Sequence, residues 1–169
     1  GDQHEHEDAD PHTWTNPNNV IIWVQEIERV LIDTDPDNAA AYTTNATAYI
    51  SELQELDTWI RSQVALIPLE KRSLVTDHTI FGYFVHEYGF EQVGTLIPGY
   101  STLAEPTAQE LAEIEDIIRE LEVKAIFVGK TANPALAERM VDDLGVQLVH
   151  LYTGSLSEAG GDAATYIEY

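Results

Sequence analysis

Cysteine is absent from the 169 residues, so the chain has neither a disulfide nor a thiolate metal site. Basic side chains are scarce too: 8 Lys and Arg stand against 30 Asp and Glu, giving a net charge of −22. This balance argues against a nucleic-acid partner, which requires a basic surface. No apolar run is long enough to span a membrane, and the first residues lack the pattern of a signal peptide. Because cysteine is absent, any bound metal must use histidine, carboxylate or water as its ligands.

Beyond residue 68, strand patterns alternate with helix patterns. Strands are predicted at 73–76, 92–97, 125–128 and 146–151, and helices at 80–89, 105–121 and 133–144, with a last helix starting near Ala163. Such alternation is typical of βαβ units. The predicted fold class is therefore α/β, a parallel sheet with flanking helices.

The first third of the chain has a different pattern. Residues 1–16 are polar and predict a loop, and Asn16-Pro17 predicts the start of a helix. A second helix is predicted from Ala39 to Leu66, a stretch without glycine or proline. A helix of roughly 30 residues is about 45 Å long. That length exceeds what a small α/β lobe needs and favours a backbone helix that links two lobes.

Two histidines are the strongest candidate ligands. His12 lies in Asp10-Pro11-His12-Thr13-Trp14, just before the first predicted helix, and His78 follows the first predicted strand. A residue at the carboxyl end of a parallel strand faces the crevice where such folds bind ligands. Imidazole is the commonest protein ligand for zinc-class metals. Asp77 is positioned to orient a nearby ring through a hydrogen bond.

Other motifs are weaker or incomplete. Gly129-Lys130-Thr131 lacks the upstream glycine of a phosphate-binding loop, and no Gly-x-Ser-x-Gly nucleophile motif is present. The remaining histidines are weaker ligand candidates: His4, His6, His86 and His150. An open zinc site could also serve a metal-dependent hydrolase, for which Asp77 and Glu105 are the only obvious bases.

Several motifs, in order, resemble the cluster A-I solute-binding proteins, the zinc and manganese receptors of ABC importers. They are Asp10-Pro11-His12-x-Trp14-x-Asn16-Pro17, Asp35-Pro36-x-Asn38-Ala39, Thr76-Asp77-His78-x-x-Phe81-x-Tyr83-Phe84, Glu105-Pro106-Thr107-Ala108 and Leu151-Tyr152-Thr153-Gly154-Ser155-Leu156. The resemblance implies two α/β lobes joined by a rigid helix, with metal held between them. Residues 1–34 would end the first lobe, 35–68 would form the linking helix, and 69–169 would form the second lobe.

The resemblance also implies that most of the first lobe, including one ligand histidine, lies upstream of this chain, and that the closing helix follows Tyr169. His12 and His78 are the implied metal ligands. The sequence departs from the pattern at Gly154, where many members have an aspartate ligand, and Asp162 is a poor substitute for it.

The implied function is extracytoplasmic binding of a divalent metal and its delivery to the membrane permease of an ABC importer, at the periplasm or cell surface and without catalysis. Two histidines favour Zn²⁺ over Mn²⁺, which remains the alternative. A surface adhesin or metal buffer on the same scaffold stays open beside the hydrolase. A chain lacking much of the first lobe would expose an apolar face, so we expect it to form a dimer.

Overall fold

The computed structural model of the chain describes residues 9–100, 106–130 and 135–169. Within them, four parallel strands form one sheet in the order β2-β1-β3-β4. The strands are β1 (Ser73–Thr76), β2 (Glu91–Thr95), β3 (Ala125–Gly129) and β4 (Gln147–Leu151). Three helices connect them: α3 (Gly82–Tyr88), α4 (Ala108–Glu120) and α5 (Ala135–Leu144). The predicted α/β class is confirmed.

Two helices precede the sheet, α1 (Pro17–Thr34) and α2 (Ala39–Val64), and they pack against each other. Asn16 caps α1 by accepting a hydrogen bond from the Asn18 amide, and Pro17 occupies the first helical position, as the sequence predicts. The 26 residues of α2 correspond to a length of about 39 Å. Where α2 ends, the Arg72 guanidinium donates to the carbonyl of Val64, its last residue, and to that of Ile67 in the turn that follows.

The main core lies between the sheet and helices α4 and α5. Its buried side chains come from the sheet, from both helices and from the segments that follow β2 and α4: Val75, Leu96, Ile114, Ile118, Val123, Ile126, Val128, Ala137 and Met140. Val75 and Ile126 are fully buried on neighbouring strands, so the centre of the sheet is rigidly packed. Residues at the strand ends are therefore held on a fixed frame.

Besides shifts of one or two residues at the ends of several elements, the structure differs from the sequence-based prediction at three places. Helix α4 begins at Ala108 because Thr107 and Glu110 form a capping box; the predicted start at Glu105 lies outside the described residues. Residues 10–16 are not a simple loop, since Thr13–Thr15 form a 3₁₀ turn and His12 is buried. The predicted helix near Ala163 is wrong: residues 163–169 form turns.

Tertiary contacts explain these C-terminal turns. The Tyr166 hydroxyl donates to the Trp14 carbonyl at 2.7 Å, and the Tyr169 hydroxyl donates to the Thr153 carbonyl at 2.6 Å. A regular helix positions its side chains by its own period, whereas these two tyrosines bind separate segments of the chain. Packing thus overrides the helical preference of the sequence.

The strand order indicates where in the sheet a ligand is expected to bind. From β1 the chain passes to β2 on one side, and later returns to β3 on the other side of β1. In open α/β sheets, ligands bind outside the carboxyl ends of the strands at this reversal. Here that point lies between the end of β1, which is followed by Asp77 and His78, and the end of β3 at Gly129.

Candidate metal centre

His78 is held by backbone contacts at the end of β1. Its carbonyl accepts hydrogen bonds from the Thr76 hydroxyl at 2.7 Å and from the side-chain amide of Gln92 at 3.2 Å. Its amide and its ring Nδ1 both lie 2.8 Å from Asp77 Oδ1. The residue is buried, with 7% of its surface exposed. Backbone and ring are thus fixed together by the preceding carboxylate.

His12 is fixed in the same manner by a different segment. Its amide and its ring Nδ1 lie 2.9 and 2.8 Å from Asp10 Oδ1, and its carbonyl accepts from the Thr15 hydroxyl at 2.9 Å. It is 6% exposed. The indole of Trp14 packs edge-on against the ring, with the centroids 5.3 Å apart.

The two carboxylates determine which ring nitrogens remain available. A carboxylate only accepts hydrogen bonds, so Nδ1 of each ring is the protonated nitrogen and donates. The neutral ring then carries its free electron pair on Nε2. Hydrogen bonds of this kind are the usual outer partners of metal-binding histidines, because they fix the ring and raise its basicity.

The structure brings His12 and His78 together. Their ring centroids are 5.3 Å apart, with an angle of 67° between the planes. An imidazole bound at the usual zinc–nitrogen distance of about 2.0–2.1 Å has its centre roughly 3.2 Å from the ion, so two rings at a tetrahedral angle lie about 5.2 Å apart. The observed spacing matches that of two imidazoles on one ion.

Asp77 also connects the site to the neighbouring strand. Its Oδ2 accepts from the Gly129 amide at 2.9 Å, across the gap between β1 and β3. Burial alone would raise the pKa of Asp77, but the hydrogen bonds from the His78 ring and the Gly129 amide outweigh it and hold the pKa below its usual range. The side chain is therefore ionised at neutral pH.

A set of hydrogen bonds ties the His12 segment to the end of the sheet. The Trp14 indole donates to the Thr153 carbonyl at 3.0 Å, just after β4, and to the Tyr169 hydroxyl at 3.3 Å. Thr153 is buried. The Trp14 indole, which packs against His12, is thus fixed at the carboxyl ends of the strands, where His78 also lies.

The other sequence candidates lie away from this pair or outside the described residues. His86 and His150 are exposed, as are Gly154 and Asp162, and a Cβ at Gly154 would meet nothing within 4 Å. His4, His6 and Glu105 fall outside the described ranges. Within those ranges, no group of three or more His, Asp or Glu side chains could hold an ion.

Sequence reasoning missed part of the support for the rings. Asp77 does orient a ring, as predicted, and that ring is His78 itself. The equivalent role of Asp10 was not recognised, although the Asp-x-His spacing was visible. The Gly129 amide and the Thr153 carbonyl have no sequence signature, because a backbone group carries none.

Comparison with known protein families matches residues 1–169 to the family described as zinc-uptake complex component A, periplasmic. The manganese-binding lipoprotein MntA of Halalkalibacterium halodurans is 37% identical over 165 residues, covering 97% of this chain and 54% of the relative. The high-affinity zinc uptake system protein ZnuA of Bacillus subtilis is 36% identical over 144 residues, covering 85% and 44%. The chain spans about half the length of the curated relatives it matches.

Solved structures agree with this fold. The periplasmic zinc-binding protein TroA of Treponema pallidum superposes with a TM-score of 0.86 at 29% identity, over 96% of this chain and 61% of that one. The laminin-binding protein Lmb of Streptococcus agalactiae gives 0.83 at 30% identity, over 94% and 60%. The resemblance seen in the motifs is confirmed: the chain belongs to the family of zinc-uptake component A proteins.

Proposed function

We propose that this chain binds a divalent transition metal between His12 and His78 and, as part of a longer protein, supplies it to an ABC importer. The observation that carries the proposal is the spacing of two buried imidazoles, 5.3 Å between centroids, each with Nδ1 bound to a carboxylate. This leaves both Nε2 atoms free for one ion.

Zinc is the metal that the donor set favours. Neutral imidazole suits zinc, whereas manganese prefers a larger share of oxygen donors. Gly154 contributes no side chain at the place where the family pattern has an aspartate. The relatives are named for both metals, MntA for manganese and ZnuA for zinc. Manganese is the alternative cargo.

Binding without catalysis is the role that the site supports. A metal-dependent hydrolase needs a free carboxylate as base near the ion. Both oxygens of Asp77 already accept hydrogen bonds, from His78 and from Gly129. The matched relatives are named as metal-binding or metal-uptake proteins, which supports a binding protein over an enzyme.

The domain limits predicted from the sequence extend this proposal. Residues 69–169, which contain the described sheet, would form the second lobe. Residues 35–68, which contain α2, would form the linking helix, and residues 1–34 would close the first lobe. The metal would then lie where the first-lobe segment with His12 meets the second-lobe strand that precedes His78.

Location and partners follow from the relatives. The family is described as periplasmic, and MntA is named a lipoprotein, so we place the protein outside the cytoplasm, at the periplasm or cell surface, beside a membrane permease. In the described ranges, every helix is too short or too polar to cross a membrane. Lmb is described as a bifunctional protein with adhesin and metal-transporting activity, which keeps adhesion as a second role. Binding of the chain to immobilised laminin would support that role, and no binding would contradict it.

The central experiment is a zinc competition titration against a chromophoric chelator. We expect the unchanged chain to bind zinc and the variant His12→Ala/His78→Ala to lose tight binding. The matched control is His86→Ala/His150→Ala, which removes two exposed histidines and should bind like the unchanged chain. Equal affinity in the two double variants contradicts the assignment of the site.

A further inference from the structure

Each carboxylate that holds a candidate ligand ring is itself packed against a glycine. Asp10, behind His12, faces Gly82 at the start of α3. A Cβ built on Gly82 would stand 2.5 Å from Asp10 Oδ2. Asp77, behind His78, faces Gly129 at the end of β3, where a Cβ would stand 3.3 Å from Asp77 Oδ2 and would overlap the Thr153 hydroxyl.

Backbone conformation does not explain these glycines. In the described residues, the glycines in the left-handed region are Gly89, Gly99, Gly145 and Gly160. Gly82, the first residue of α3, and Gly129, the last residue of β3, both lie outside the left-handed region. What these two positions require is the absence of a side chain, because a Cβ would clash with the neighbouring groups.

We propose that Gly82 and Gly129 are positioning residues of the metal site, which leave the space for Asp10 and Asp77 to orient His12 and His78. This inference rests on the proposed function, since the oriented rings are its ligands. Neither glycine touches the metal, and each acts through one carboxylate and one ring.

The route from each glycine to its ring is short. An alanine at 82 forces Asp10 Oδ2 away, and Oδ1 of the same carboxylate holds His12 Nδ1 at 2.8 Å. An alanine at 129 displaces Thr153 and crowds Asp77, whose Oδ2 accepts from the Gly129 amide at 2.9 Å. In both cases the ring loses the acceptor that keeps the proton on Nδ1 and the electron pair on Nε2.

The first test needs no metal. Imidazole ¹⁵N NMR spectra of the metal-free chain in mildly alkaline solution report which nitrogen of each ring carries the proton. We expect the Nδ1–H form for both His12 and His78. Gly82→Ala should change the spectrum of His12 more than that of His78, and Gly129→Ala should change that of His78 more than that of His12. Spectra that stay unchanged in both variants overturn the inference.

The second test is zinc affinity by the same competition titration. Loss of the outer partner of a metal-binding histidine weakens binding roughly 10- to 100-fold, and we expect a loss of this size for each variant. The structural control is Gly94→Ala in β2, where a Cβ would press on Ile114 at 3.2 Å, inside the core. It should lower thermal stability and leave both the ring spectra and the zinc affinity unchanged.

Two double variants test the route. Thr153→Ala removes the hydroxyl that an alanine at 129 would overlap and leaves the milder contact at 3.3 Å with Asp77 Oδ2, so Gly129→Ala/Thr153→Ala should regain part of the His78 spectrum and affinity. Asp10→Ala already lacks the carboxylate, so adding Gly82→Ala should weaken zinc binding no further. Absence of rescue, or an additional loss, contradicts positioning through space.

The two tests separate this inference from the proposed function. If the ring spectra respond as expected while the unchanged chain binds no zinc, the glycines still orient the two rings, and the proposal that His12 and His78 of this chain hold the metal by themselves fails. If the unchanged chain binds zinc and both glycine variants match Gly94→Ala in affinity and ring spectra, the function stands and the positioning role fails.

Discussion

Replacing Asp77 with asparagine is the sharpest single perturbation of the site. The carboxylate accepts three hydrogen bonds, from the His78 amide and ring Nδ1 at 2.8 Å each and from the Gly129 amide at 2.9 Å. Asparagine has nearly the same shape but only one acceptor oxygen, and its amide group donates. It can satisfy Gly129 or His78, but not both.

Either orientation of the amide is costly. If the oxygen faces Gly129, the amide group faces Nδ1 of His78 and moves the ring proton to Nε2, where the metal would bind. If the oxygen faces His78, the buried Gly129 amide meets another donor. A hydrogen bond to a charged group contributes about 1.5–3 kcal/mol, so we expect zinc binding weakened by roughly 10- to 100-fold in Asp77→Asn.

The assay is a zinc competition titration combined with thermal unfolding of the metal-free protein. Asp143→Asn is the matched control, since it makes the same change of charge at an exposed position on α5. If Asp77→Asn binds zinc as tightly as Asp143→Asn, the carboxylate does not orient the ring, and the argument built on the hydrogen bonds of His78 is refuted.

Two further predictions concern parts of the chain away from the site. Burial alone would raise the pKa of Asp57, but hydrogen bonds from Arg61 and Tyr88 hold it below its usual range, so the ionised form stabilises the fold. That contribution is present above the ordinary pKa of the group and is lost as the pH falls through the lowered one. Asp57→Asn should therefore be less stable at neutral pH, by about 1–3 kcal/mol, and lose less of its stability in acid; parallel pH profiles of unfolding free energy would contradict this. On α1, Ile27 is 58% exposed and lies among further exposed apolar side chains, so we expect two chains to form a dimer through this face. Ile27→Lys should weaken the dimer, and added salt should strengthen it, because salt screens the repulsion between the acidic surfaces. Sedimentation equilibrium tests this prediction. Leu66→Lys is the control, because Leu66 is an exposed apolar side chain, 77% exposed, in the turn after α2 and not on α1. A monomeric unchanged chain at high concentration contradicts the prediction.

The sequence predicted those features that repeat along the chain. Apolar periodicity located α1 and α2, and the alternation beyond residue 68 located every strand within two residues at either end. It also identified His12 and His78 as a pair, because one follows a strand and the other precedes a helix. The limits of α4 and the turns after Ala163 were missed, since a capping box and two long-range tyrosine hydrogen bonds determine them.

The contribution of Gly129 to the support of the rings was beyond sequence reasoning for a physical reason. Gly129 lies 52 positions beyond Asp77, and its contribution is a backbone amide and an empty space. Neither property distinguishes it from any other glycine in the sequence. Only the parallel pairing of β1 with β3 brings that amide to the carboxylate.

The charges of the site explain why a divalent cation suits it. Each ring of the pair donates its Nδ1 proton to a carboxylate, that of Asp10 or that of Asp77. Both carboxylates are largely shielded, with side chains 15% and 5% exposed, so their charge is poorly screened by solvent. A bound dication would balance them, whereas a monovalent ion would leave one uncompensated. In the proposed site the carboxylates would therefore act twice, by orienting the rings and by matching the charge of a divalent ion.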